Sequence, residues 1–222
     1  MSPKSLNIYF GKTIEIHFFG QELTEIKSTN LLRSHSPLPS PITMINLSKD
    51  ISIQKLSIAD QPELIDLMRE IYIPSYQHIW SDSGEWYLQK MYNPEAFQKD
   101  LDNPKSHYYF VLFDGWKIGI LKYTYPESPA LIDFPNSLHL HRIYISKEFQ
   151  GKGIAAQLMQ MVESTARERG LNYMWLEVMD TQLQAQRFYR KMGFEWLFTY
   201  HLDYQKLLPK YRGIQILRKS LR

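Results

Sequence analysis

The run Phe149-Gln150-Gly151-Lys152-Gly153-Ile154-Ala155-Ala156 lies between an apolar, strand-like stretch and a helical one. Glycines there let the backbone turn tightly and approach a ligand with no side chain in the way. The first turn of the helix presents unpaired N–H groups and the positive end of its dipole, a setting suited to phosphate oxygens. Lys152 adds a positive charge. A P-loop is absent, because that motif needs Gly, four residues, then Gly-Lys and Ser or Thr. Gly151, Gly153 and Ala156 do fit G-x-G-x-x-A, with Glu177 near the end of the next strand, as in a dinucleotide fingerprint. That fold needs several further strand–helix units, and only about forty residues follow Asp180.

The elements that must position this loop follow from periodicity and turn chemistry. Ile51 and Ile53 alternate as a strand, and Asp60 or Gln61 opens a helix with Pro62 in its first turn, where a missing N–H costs nothing. Leu64, Ile65, Leu67, Met68 and Ile71 keep helical spacing. A second helical pattern over 85–101 is broken at Asn93-Pro94. Apolar runs at 108–113 and 116–125, joined by Asp114-Gly115, predict a hairpin. A strand over 138–145, a helix over 154–169 stopped by Gly170, and a strand over 171–178 come next. A helix capped by Asp180 or Thr181 runs to Lys191, and two strands, 194–204 and 213–217, finish the chain. The order predicts an α/β (α+β mixed) fold with a mixed sheet and helices on both faces.

Residues 1–48 read as a weakly ordered N-terminal appendage and linker, and 49–222 as the folded domain. A short strand at 13–19 and a proline-rich linker at 34–43 are expected within the appendage, and Met44 is an alternative start that N-terminal mass spectrometry would test. The net charge of +3, from 26 basic and 23 acidic residues, is too small to predict a nucleic-acid partner. The chain has no cysteine, which excludes disulfides, thiolate metal sites and a cysteine nucleophile. No apolar run approaches the roughly 18 residues of a membrane span, and no signal-peptide pattern opens the chain. A soluble, cytoplasmic monomer or homodimer is expected.

Gln150, Gly153 and Ala155 match the coenzyme A signature of the GNAT (Gcn5-related N-acetyltransferase) family: Gln or Arg, two residues, Gly, one residue, Gly or Ala. The preceding Leu140-His141-Arg142-Ile143-Tyr144-Ile145 resembles that family's fourth strand. Ala185-Gln186-Arg187-Phe188-Tyr189-Arg190-Lys191-Met192-Gly193-Phe194 resembles its A-x-x-F-Y-x-x-x-G-F element. The resemblance covers about 50–220. It implies a mostly antiparallel sheet of six to seven strands and transfer of acetyl from acetyl-CoA to a primary amine by direct attack in a ternary complex. The stretch 86–95, with Tyr108 and Phe110 after it, is similar to bacterial spermidine/spermine-type acetyltransferases, pointing to a polyamine or other small amine.

In that family the backbone of Gly151, Lys152, Gly153, Ile154 and Ala155, following Gln150, holds the pyrophosphate. The pantetheine arm lies along Ile143, Tyr144 and Ile145, and Gln182 stands where the family usually has Asn. Tyr189 is the implied general acid, since a phenol of pKa near 10 keeps its proton at neutral pH. A glutamate base is common near the start of the fourth strand, and His139 occupies that place here; an imidazole accepts a proton at neutral pH. Glu177 is the second candidate base. His139 and His141, two residues apart on a strand, also suit a metal, but no third ligand stands at telling spacing, so no metal is expected. The family's acceptor pocket corresponds to 73–101, where Tyr76, Trp80, Asp82 and Glu85 combine aromatic faces and carboxylates that suit a cationic amine. The competing readings are a catalytically idle coenzyme-A-binding module and an NAD(P)-binding oxidoreductase.

Overall fold

A computed structural model describes residues 43–222; the expectations for 13–19 and for a linker from 34 lie outside the described residues. In chain order the elements are β1 (Met44–Asn46), β2 (Ile51–Lys55), α1 (Gln61–Tyr76), α2 (Glu85–Tyr92), α3 (Pro94–Asp102), β3 (Ser106–Phe113), β4 (Trp116–Thr124), β5 (Ser137–Ile145), α4 (Ile154–Glu168), β6 (Tyr173–Met179), α5 (Leu183–Lys191), β7 (Glu195–His201) and β8 (Gly213–Ser220). The strands form one sheet in the order β1-β2-β3-β4-β5-β6-β8-β7. Every neighbouring pair is antiparallel except β5 and β6. A dinucleotide-binding fold needs a largely parallel sheet, so that reading is overturned.

Turn and cap chemistry accounts for most boundaries. Asp114 and Gly115 both take positive φ, 48° and 82°, the conformation a two-residue hairpin between β3 and β4 demands. Pro94 opens α3 while the Asn93 side chain accepts from the Ala96 N–H at 2.9 Å. Helix α4 buries Ile154, Leu158, Met159, Val162 and Ala166 along one face. Those residues meet Ile53, Val111, Leu121, Leu138 and Leu176 from the sheet in one core. Each fully buried large side chain contributes about 1.5–3 kcal/mol, and Leu158→Ala would cost about 2–5 kcal/mol. Leu64 and Met68 of α1 and Phe97 of α3 are fully buried outside that core.

Among the described residues the sheet has eight strands, against the expected six to seven or so, and it begins at β1. That strand is three residues long and exposed throughout, so no apolar alternation announces it.

Two irregularities in β5 shape everything that follows. Pairing with β6 runs only from Ser137↔Tyr173 to Leu140↔Leu176, although both strands continue beyond it, so the two part there. Against β4, Leu140 pairs with Tyr123 and Arg142 with Lys122, which leaves His141 as an inserted residue. Such a bulge flips the alternation of a strand. Leu138 and Leu140 before it, and Ile143 and Ile145 after it, all pack in the α4 core. Alternation turns His139 and His141 to the other face, and the bulge adds Arg142 and Tyr144 to it.

Candidate active site

Beyond the parting, β5 has one paired edge. The Ser146 N–H donates to the Ile118 carbonyl at 2.8 Å. Antiparallel ladders alternate bonded and non-bonded residues, so the backbone groups of Ile143 and Ile145 are turned away from β4, toward the space β6 has left. The Gln150 Nε2 donates to the Ile145 carbonyl at 3.0 Å, tying the loop to the strand end. Gly151 and Gly153 have φ of 77° and 79°, a conformation that costs an L-residue about 1–2 kcal/mol. A Cβ at either position would meet nothing within 4 Å, so the demand is conformational and the space before the loop is open. Gly153 caps α4 without any side-chain hydrogen bond, which leaves the first-turn N–H groups to an outside acceptor. The Lys152 ammonium lies 4.7 Å from the Phe149 ring centroid, beside this opening.

A second group of side chains, titratable and largely buried, gathers on the other face of β5. The loop after β4 brings in Glu127, a residue that sequence reasoning missed. Its backbone is pinned three ways: its N–H donates to Ser137 O at 2.9 Å, and its carbonyl accepts from Ser137 Oγ at 2.6 Å and Trp175 Nε1 at 2.8 Å. The carboxylate then spans both histidines, 3.1 Å from His139 Nδ1 and 3.2 Å from His141 Nε2. His139 is sandwiched, with its ring centroid 3.5 Å from that of Trp175 and 3.7 Å from that of His141. Its Nε2 is buried without a hydrogen-bond partner and faces Glu177 Oε2 at 3.9 Å. The other Glu177 oxygen accepts from Tyr200 Oη at 2.6 Å.

Burial sets the protonation of this cluster. It lowers the His139 pKa against the raising effect of Glu127, and lowers that of His141 strongly, so both rings are neutral. Burial also works to raise the Glu127 carboxyl, but the hydrogen bonds from the two imidazoles outweigh it and hold Glu127 charged. Glu177 is pushed up to about 7 by burial, against the Tyr200 hydroxyl and with help from the Glu127 charge. A carboxylate facing Nδ1 assigns the ring proton of His139 to that nitrogen, which leaves the Nε2 lone pair free. The spatial arrangement is a carboxylate–imidazole pair next to a carboxyl poised near neutrality.

Tyr189 lies on α5, partly buried at the edge of the α4 core, edge-on to Phe188 and Phe194 at 5.3 and 5.9 Å. Burial and the neighbouring Tyr76 raise its phenol above the usual value near 10, so it holds its proton. Tyr76 in turn stacks on Tyr72 at 4.6 Å and meets the edge of Tyr144 at 6.0 Å. Trp80 is only 6% exposed, with its Nε1 donating to Tyr72 Oη at 2.9 Å. The structure gives the two acids of this stretch local partners: Asp82 accepts from the Gly84 and Trp86 N–H groups, and Glu85 pairs with Arg69 at 3.0 Å on the surface. Gln182 stands at the N-cap of α5 with no side-chain cap bond. Thus Tyr76 adjoins Tyr189 and His139 adjoins Glu177, while Asp82 and Glu85 are occupied elsewhere. Among the described residues no helix is long and apolar enough to cross a membrane.

Comparison with known proteins bears on this geometry. The acetyltransferase (GNAT) family model matches residues 65–194. An uncharacterised N-acetyltransferase of Lactobacillus delbrueckii subsp. lactis is 30% identical over 144 residues, 64% of this chain and 83% of that protein. The spermidine N(1)-acetyltransferase of Thermoplasma acidophilum is 26% identical over 150 residues, 65% of this chain and 88% of that protein. Among solved structures, the PaiA N-acetyltransferase of Thermoplasma acidophilum in complex with coenzyme A shares the fold. It has a TM-score of 0.58 and 23% identity, covering 77% of this chain and 98% of that one.

Proposed function

Because the chain belongs to the acetyltransferase (GNAT) family of coenzyme-A-dependent N-acetyltransferases, we propose that it transfers acetyl from acetyl-CoA directly to a small cationic amine, of the polyamine class, in a ternary complex. One observation carries this reading. At a single parting of the sheet, a free strand edge leads into a helix start with no side-chain cap, and a neutral imidazole stands beside a carboxyl near its pKa. The open space before Gly151 and Gly153 fits a coenzyme pyrophosphate.

Bound acetyl-CoA supplies an acetyl group activated on sulfur. The N–H groups from Gly151 to Ala155 bind phosphate oxygens, with Lys152 and Gln182 flanking the path. The edge at Ile143, Tyr144 and Ile145 receives the pantetheine arm, and a fixed N–H there stabilises charge developing on the acyl oxygen, a contribution often worth about 3 kcal/mol. An ammonium must lose a proton before its nitrogen can attack. The His139 Nε2 takes that proton directly or through water, and Glu177 shares it. Tyr189 keeps a proton at Oη for the departing sulfur, whose thiolate has a pKa of about 8.5.

Glu127, Glu177, Tyr76 and Trp80 together give the acceptor side carboxylates and aromatic faces, a match for a polyamine. The relative named a spermidine N(1)-acetyltransferase supports the same class. The test is a calorimetric titration with acetyl-CoA, with NADH and NADPH as controls, followed by an amine panel read by thiol release. A micromolar Kd, about −8 kcal/mol, is expected for acetyl-CoA alone, with turnover of polyamines. The chain has no cysteine, so a thiol reagent reads only released coenzyme A. Absent acetyl-CoA binding overturns the reading. Binding without turnover of any amine leaves an idle coenzyme-binding module.

A further inference from the structure

We infer that Glu127, His139 and His141 form a binding site for a divalent transition-metal ion of the zinc class, and that metal at this site switches the enzyme off. One donor atom from each residue lies within 4.8 Å of the others. The two imidazole-to-carboxylate separations are 3.1 and 3.2 Å. Zinc held tetrahedrally at about 2.0–2.1 Å sets neighbouring ligands roughly 3.3 Å apart, and each imidazole nitrogen already stands about that far from one oxygen of Glu127, His139 Nδ1 from Oε1 and His141 Nε2 from Oε2. Two imidazoles and a carboxylate make a ligand set of the kind that keeps a fourth position open.

The donors are also held in advance. Glu127 is pinned by Ser137 and Trp175, the His139 ring is clamped between Trp175 and His141, and strand alternation puts the second imidazole on the same face as the first. Behind His139 stands the carboxylate–histidine arrangement that orients metal-bound imidazoles: Nε2 faces Glu177, whose far oxygen is held by Tyr200. The Glu127 side chain is 32% exposed, so an ion has a way in and water can complete its sphere. The neighbouring Lys122 ammonium is neutralised by Asp100 at 2.5 Å.

Coordination changes which nitrogen of His139 is free. At His141 the ring proton facing Glu127 shifts from Nε2 to Nδ1; at His139 the ion takes the Nδ1 lone pair, and the single proton of the neutral ring moves to Nε2. No net proton is gained or lost, but the lone pair at Nε2 becomes an N–H and cannot accept from an ammonium. This consequence, unlike the binding itself, rests on the reading of His139 as the base.

Titration calorimetry of the chelator-stripped full chain with zinc chloride tests the site. One ion per chain at micromolar or tighter Kd is expected, weakened about 30-fold or more in Glu127→Gln and in His141→Gln. Unchanged acetyl-CoA affinity in both variants shows that they fold. Cobalt(II) as a second probe is expected to give the visible absorption of a tetrahedral centre, lost in the same variants. No binding, or binding that both variants retain, overturns the site. Turnover is expected to fall in step with zinc occupancy and to return with EDTA. Full turnover with one zinc bound would overturn the inhibition and the His139 base assignment while upholding the metal site.

Discussion

From Ile143 to Ala155 the groups offered to a ligand are backbone N–H and C=O, supplied by one unbroken stretch of chain. Around His139 they are side chains, drawn from the loop after β4, from β5, from β6 and from β7. The first site depends on conformation and barely on side-chain identity, apart from glycines that permit positive φ. The second depends on which side chains the sheet brings together. The two regions should therefore fail differently, one losing coenzyme affinity and the other losing rate.

The largest separation is expected from Tyr189→Phe. Removing the proton donor should lower kcat about 100-fold, within the range for general acid–base groups, with acetyl-CoA affinity within about two-fold by calorimetry. An unchanged rate would leave Tyr189 a packing residue. Gly153→Val attacks the other region. A β-branched side chain at a φ of 79° should weaken acetyl-CoA binding about ten-fold and cost about 1–2 kcal/mol of stability. Retained affinity in a folded variant would mean the backbone there does not hold the coenzyme.

Trp80→Phe removes one buried hydrogen bond to Tyr72 and should cost about 1 kcal/mol in denaturant unfolding. The same variant sharpens the acceptor assignment, since a raised polyamine KM would place the indole at the acceptor. Glu85→Gln should do least. It loosens an exposed pair with Arg69 worth under about 1 kcal/mol, and the amine KM should stay within two-fold. A large rise in that KM would return Glu85 to the acceptor side.

The backbone region was legible because its requirements are local. Positive φ at consecutive odd positions needs glycine, and a strand before and a helix after show in periodicity. The same holds for the β3–β4 hairpin, announced by Asp114-Gly115, and for the helix break at Asn93-Pro94. The side-chain region was legible only in part. His139 and Glu177 stood out as titratable groups on neighbouring strands, yet nothing in their spacing shows that Nε2 and Oε2 come within 3.9 Å. Glu127 escaped because it lies in a loop without periodicity. Its signal was topological: Thr124 pairs with His139, so residues just past Thr124 return over the start of β5. The bulge at His141 leaves no trace in composition, which is why Arg142 joins the histidines on one face without warning.

The most direct test of the division between grip and chemistry is His139→Gln, with kcat and acetyl-CoA affinity measured on the same preparation using a polyamine acceptor. A fall in kcat of about 100-fold, with affinity within two-fold, is the expected result. A variant that keeps its rate, or that loses acetyl-CoA binding in parallel with its rate, would contradict the account.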